Sequence, residues 1–138
     1  MDDVSASRDD DAPEPSDQAL SSQGVAHWNA GDFWEAHESW EHLWHRLYED
    51  EKRFVQGLIQ YAAALFHYDR GFFASGFERL MASATEKTSG YEGRTFGIDW
   101  ERLRRDLAPW IAYGREVAAG ASFPEAPAPI PTITMTDA

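Results

Sequence analysis

The stretch GDFWEAHESWEHLWH, residues 31–45, places three Trp, three Glu and three His within fifteen residues. Its apolar residues recur at helical spacing, and no alternating β pattern persists between Gln18 and Ala118. Gly31 ends the preceding helical pattern, and Asp32 followed by Glu35 favours a capping-box arrangement at the start of the next helix. Titratable side chains beside large aromatics are costly to bury without partners, so the stretch indicates a paired internal network or a working site.

The flanking sequence extends this pattern into five predicted helices, at about residues 18–30, 32–48, 52–70, 73–88 and 99–118. A charged turn, residues 49–51, separates the second helix from the third. Pro109 lies inside the fifth helix and is expected to kink or split it, since proline removes a backbone donor.

An internal repeat with an offset of 40 residues aligns Gly31 with Gly71, His27 with His67 and Glu38 with Glu78. Each copy is a helix, a glycine turn and a second helix. The expected fold is therefore all-α: a small bundle of two helix-turn-helix hairpins, tetratricopeptide-like, plus a closing helix.

Three regions differ in composition. Residues 1–17 carry seven acids and one base and predict a disordered acidic leader, whereas residues 18–120 predict the helical bundle. Residues 121–138 predict a proline-rich extended tail. This tail is either free or held on the bundle by Ile130 and Ile133.

Charge and composition exclude several classes of function. The formal net charge of −12 argues against nucleic acid and anionic membranes as partners, since both need a basic surface. Cysteine is absent, which excludes disulfides and thiolate chemistry. No apolar run reaches the roughly 20 residues of a membrane span, and no secretory signal is visible, so a cytoplasmic protein is expected. Two Lys against ten Arg in an acidic chain fits either a salt-adapted organism or an ordinary acidic protein with an acidic tail.

On a helical projection, Glu38, Glu41 and His45 form one polar ridge of the second helix, and His37 flanks it. The third helix carries a polar stripe of its own, made of residues Arg53, Gln56, Gln60 and His67. A short turn joins the two helices and predicts antiparallel packing, so these polar stripes are expected to face each other.

Three interpretations of this juxtaposition remain open. The first is a buried hydrogen-bonded network that fixes the register of the helices. The second is a site for a divalent metal ion held by His37, Glu41 and His67, with Glu38 as general base on a bound water. The zincin motif is incomplete, because Glu41 stands where its second His should be.

The third interpretation is a pocket for a small molecule or peptide, in which aromatic faces and acids bind a cationic group. The candidate ligand-binding residues are Trp34, Glu35, Glu38, Trp40, Trp44, Arg53, Gln56 and Gln60.

At these residues the chain resembles domain-of-unknown-function family 309, a group of small all-helical proteins. The matching pieces are WNAGDFWEAHESWEHLW at residues 28–44, RFVQGLIQYAAA at residues 53–64, and then His67 and Gly71. The resemblance covers about residues 20–85, and it implies a helical fold and no settled activity. It directs attention to residues Glu35, His37, Glu38, Glu41, Gln56, Gln60 and His67.

These observations together favour a non-catalytic binding or scaffolding module with a polar and aromatic cleft between the second and third helices. The alternative is a metal-assisted hydrolase that uses the His and Glu cluster.

Overall fold

The computed structural model describes residues 13–71, 76–120 and 126–136. These residues form five helices: α1 (Asp17–Asn29), α2 (Phe33–Trp44), α3 (Glu49–Asp69), α4 (Phe77–Thr88) and α5 (Trp100–Ala118). The all-α prediction is confirmed, and each helix packs against the next one in the chain. The prediction for the leader lies outside the described residues over positions 1–12.

The connection between α2 and α3 differs from the prediction. α2 ends at Trp44, because the chain turns inward and buries Leu47, whose N–H donates to the Trp44 carbonyl. The predicted charged turn, residues 49–51, is instead the first turn of α3. Carboxylates favour that position, since the amino end of a helix carries positive partial charge.

Two local expectations, a capping box at the start of α2 and a split of α5 at Pro109, were wrong. Asp32 occupies the N-cap of α2, but its side chain makes no capping hydrogen bond, so the capping box does not form. Pro109 does not divide α5, which runs unbroken through it. Pro109 itself is exposed, and the buried face that includes Leu107 and Trp110 packs the helix on both sides of it.

Close packing between neighbouring helices depends on two glycines. A Cβ at Gly24 of α1 would collide with the indole of Trp40 on α2. A Cβ at Gly57 of α3 would collide with the side chain of Thr88 on α4. In both hairpins, therefore, the backbone of one helix lies close to a side chain of its partner. This contact fixes the position along the helix axes at which the two helices meet.

The proline-rich tail lies on the bundle over its described residues 126–136. Asn29, at the end of α1, donates its amide to the carbonyl of Ile133 (2.9 Å) and accepts from the N–H of Ile133 (2.7 Å). The indoles of Trp28 and Trp110 donate to the carbonyls of Pro131 and Pro129. Ile133 is buried, as the anchored alternative expected.

None of the described helices combines the length and apolar character that crossing a membrane requires.

Candidate functional site

The polar ridge of α2 faces water. Glu38, Glu41 and His45 are all exposed, and among the described residues their side chains form no hydrogen bond and no ion pair. The buried helical face consists instead of Phe33, Ala36, Trp40 and Leu43. The expectation that the ridge meets the stripe of α3 was therefore wrong, because the helix is rotated so that Phe33, Trp40 and Leu43 enter the core.

The stripe of α3 has a different environment. Arg53 is exposed and donates to the carbonyl of Glu86 on α4, so its guanidinium does not meet the acids of α2. Gln56, Gln60 and His67 are half-buried. At Arg53, therefore, the stripe is turned toward α4 rather than toward the ridge.

The candidate metal ligands are not gathered into one site. His37 and His67 are half-buried, whereas Glu41 is exposed. Within residues 13–71, 76–120 and 126–136, no three His, Asp or Glu side chains are placed to hold one metal ion. The geometry expected for a site of His37, Glu41 and His67, with Glu38 as its base, is therefore not found there.

The three tryptophans of α2 lie in three different environments. Trp40 is fully buried, and its indole N–H donates to the carbonyl of Ser21, so its assignment to a ligand pocket is corrected to the core. Trp44 is half-buried, and the ammonium of Lys52 lies 4.1 Å from its ring. Trp34 is 45% exposed, which is unusual for so large an apolar side chain.

Neighbouring rings hold Trp34 in place. Its indole stacks on the imidazole of His37, with 4.7 Å between ring centroids and 7° between ring planes. The ring of Phe66, near the end of α3, lies 5.5 Å away at a tilt of 46°. Trp34 is therefore a supported aromatic surface and not a freely rotating side chain.

Trp34 forms part of a cleft of about 520 Å³ between the start of α2 and the end of α3. Its volume falls in the range of about 300–1,000 Å³ typical of small-ligand pockets. The cleft is lined by Gly31, Asp32, Phe33, Trp34, Glu35, Phe66, Asp69 and Arg70.

Charge in this cleft is unbalanced. Asp32, Glu35 and Asp69 contribute carboxylates, and none of them has an ion-pair partner among the described residues. Arg70 supplies the one cationic group among the described lining residues, and its guanidinium lies 5.4 Å from the ring of Phe66. The net field therefore favours a positively charged ligand beside an aromatic face.

Sequence reasoning identified Trp34 and Glu35 but missed Asp32, Phe66, Asp69 and Arg70 as cleft residues. The available signal was the antiparallel pairing of α2 and α3, which brings the end of α3 back to the start of α2. Asp69 is the last residue of that helix, and Arg70, its C-cap, immediately precedes Gly71. Topology, and not local composition, therefore decides which acids share the cleft.

Some polar side-chain atoms of α2 and α3 are shielded from water and have no hydrogen-bond partner among the described residues. These atoms are Nδ1 of His37, Nε1 of Trp44, Oε1 of Gln60 and Nδ1 of His67. Buried polar atoms of this kind are rare in folded proteins and call for an explanation at each position. All four residues are among the candidate site residues of the sequence analysis. The imidazole of one of them, His37, stacks on the indole of Trp34.

The fold and the cleft define a small helical-hairpin domain with an acidic and aromatic pocket. Residues 21–78 match the family model described as Domain of unknown function (DUF309), which confirms the resemblance over α1, α2, α3 and the start of α4. The match contains every residue that lines the cleft. No curated protein matches the chain in sequence.

Proposed function

We propose that the protein is a non-catalytic binding module whose cleft takes an organic cation, an amine or guanidinium group carried by a small molecule or peptide. The observation that carries this proposal is the exposed Trp34, supported by two neighbouring rings and bordered by three carboxylates that have no ion-pair partner within the described part of the chain.

Aromatic support makes Trp34 suited to this role. A cation over a tryptophan face is attracted by the ring quadrupole, by roughly 0.5–1 kcal/mol at exposed sites and about 2 kcal/mol when water is excluded. His37 stacks on Trp34 and Phe66 packs beside it, so little side-chain entropy remains to be lost on binding.

The carboxylates orient the ligand. Asp32 and Glu35 come from the start of α2, and Asp69 comes from the end of α3, so the acids approach the cleft from two helices. A guanidinium can donate to such carboxylates through several N–H groups while its plane lies on an aromatic face. Arg70 already occupies the face of Phe66, which leaves Trp34 as the aromatic surface for a ligand.

Calorimetric titration with N-acetylarginine amide tests the proposal, and N-acetylcitrulline amide is the neutral analogue of the same shape. The arginine compound should bind measurably and the citrulline compound should not. Trp34→Ala should weaken binding about fivefold, as expected when a cation–π contact of roughly 1 kcal/mol is lost.

Tyr48→Ala is the matched control, because Tyr48 is the other large exposed apolar side chain among the described residues and lies outside the cleft. It should leave affinity unchanged. Equal binding of both amides, or equal effects of the two aromatic substitutions, would overturn the proposal. Circular dichroism confirms that each variant is folded before titration.

A further inference from the structure

We propose that the described part of the proline-rich tail, residues 126–136, is a strap that holds both walls of the cleft between α2 and α3, so that docking of the strap and binding in the cleft favour each other. The described strap residues do not line the cleft, so the strap acts on it through the residues that it holds. The effect on ligand affinity rests on the proposed function, whereas the effect on the walls does not.

The strap is an extended segment with a defined position on the bundle. Pro131 and Ile133 are buried, whereas Thr132 and Thr134 are exposed, which is the period-two pattern of an extended chain with one side turned inward. Backbone hydrogen bonds of 2.8 and 2.6 Å join the end of the strap to the segment 97–99. The strap is therefore docked both through its backbone and through the side chain of Ile133.

The strap supports the first wall of the cleft, at the start of α2, through Trp28 and Asn29. The indole N–H of Trp28 donates to the carbonyl of Pro131 (2.7 Å). The ring of Trp28 packs edge-on against Phe33, with 5.5 Å between ring centroids, and Phe33 lines the cleft. Asn29, which two hydrogen bonds join to Ile133, ends α1 immediately before the turn that continues this wall.

The strap supports the second wall, at the end of α3, through Trp110. The indole N–H of Trp110 donates to the carbonyl of Pro129 (3.3 Å), and its ring packs edge-on against Tyr68, with 4.7 Å between ring centroids. Tyr68 directly precedes Asp69 and Arg70, which line this wall. The tryptophans behind the two walls thus donate to carbonyls that lie only two residues apart on the strap.

This arrangement couples the strap to the cleft. Trp28 and Trp110 are both buried, so a displaced strap leaves two indole N–H groups that need new acceptors. Rings that shift to reach water would move Phe33 and Tyr68 as well, because closely packed side chains transmit displacement. A ligand that needs both walls in place stabilises the docked strap. Docking must then raise ligand affinity by the same factor, because coupling between two sites is reciprocal.

Hydrogen exchange of the ¹⁵N-labelled full chain without ligand tests the support of the walls. Ile133→Ala removes a buried anchor of the strap and lies outside the cleft. It should speed exchange about fivefold or more at Thr136 of the strap and at Asp32 and Arg70 of the two walls, because local opening exposes these amides together. Exchange at Ala84, in the buried part of α4, should change less than twofold.

Two results of this experiment would overturn the proposal. Equal acceleration at Ala84 would mean that Ile133→Ala destabilises the whole fold. Acceleration confined to Thr136 would mean that the strap leaves the bundle without loosening either wall.

Thr132→Ala is the matched control, because Thr132 lies on the same strap and is exposed. It should leave exchange at Asp32 and Arg70 within twofold of the wild type. Ile130→Ala, which removes a half-buried strap side chain, is a milder second variant that keeps the test decisive if Ile133→Ala does not fold. Faster exchange at the strap of Ile130→Ala with unchanged walls would contradict the coupling.

Ligand binding supplies a readout that a purely structural strap would not change. With N-acetylarginine amide at ten times its Kd, exchange at Thr136 of the wild type should slow by up to about tenfold, as expected for a ligand that binds only the docked state. Unchanged exchange at Thr136 in the ligand-bound protein would refute the coupling and leave the proposed function standing. Failure of the ligand to bind would refute the proposed function, and the ligand-free exchange at Asp32 and Arg70 would still decide whether the strap supports the walls.

Discussion

The two ends of α2 carry similar residues and present them in different ways. At its start, Trp34 and Glu35 border a cleft that α3 closes from the other side. Over the rest of the helix, Glu38 and Glu41 point into water, and Lys52 already covers the ring of Trp44. Composition alone therefore does not make a site; a neighbouring element must make the surface concave and leave the aromatic face free.

The largest expected effect separates the buried tryptophan from the exposed one. Trp40→Ala should lower the free energy of unfolding by about 3–5 kcal/mol, the range for removing a large aromatic side chain from a core. Trp40 is fully buried, and its neighbours include Trp28, with ring centroids 5.8 Å apart. Urea denaturation followed by circular dichroism measures the loss.

Trp34→Ala is the comparison for that experiment. It should lower the free energy of unfolding by less than half as much, since nearly half of the side chain is already in water. If both substitutions lower the free energy of unfolding equally, Trp34 would be a structural residue. The distinction between a core tryptophan and a cleft tryptophan would then be lost.

The second prediction concerns the carboxylates of the cleft. Glu35→Gln and Asp69→Asn should each weaken binding of N-acetylarginine amide about two- to fivefold, because an exposed ion pair is worth roughly 0.2–1 kcal/mol. The effect should shrink as salt is added, since screening acts on exposed charges. Isothermal titration at two ionic strengths measures both quantities.

Glu38→Gln and Glu41→Gln remove the same charge from the same helix without touching the cleft. They should leave the affinity for the arginine compound within measurement error. Losses as large as those of Glu35→Gln would mean that the net charge of the helix attracts the ligand, and the comparison between the two ends of α2 would fail.

The sequence predicted much of the fold, because helix boundaries depend on local signals. Gly31 and Gly71 both adopt positive φ values, 83° and 79°, so both turns of the predicted hairpins occur where glycine is favoured. Asp99 caps α5 through its side chain, as its position before the last helix suggested. The shift at the start of α3 arose because burial of Leu47 moved the turn three residues earlier.

The site was harder to predict, for a physical reason. A helical projection gives the relative angles of Glu38, Glu41 and His45, but it does not give the rotation of the helix about its axis in the bundle. Packing decides that rotation, and the indole of Trp40 fits against Gly24 of α1. With Trp40 in that position, the ridge points to water, and Trp34 remains at the surface.

The smallest expected effect tests the ridge itself. Glu38→Gln and Glu41→Gln should each change the free energy of unfolding by no more than about 0.5 kcal/mol, as is usual for exposed residues away from special structural features. Neither side chain has a hydrogen bond or ion pair among the described residues, so neutralising it leaves no buried partner behind. Had these acids been paired inside the α2–α3 seam, removing one would cost about 3–5 kcal/mol, because a buried partner would lose its counter-charge. Urea denaturation of the two variants, measured beside Trp40→Ala, thus distinguishes a solvated ridge from a buried network. The two hypotheses differ in the expected change in the free energy of unfolding by several times the error of the measurement.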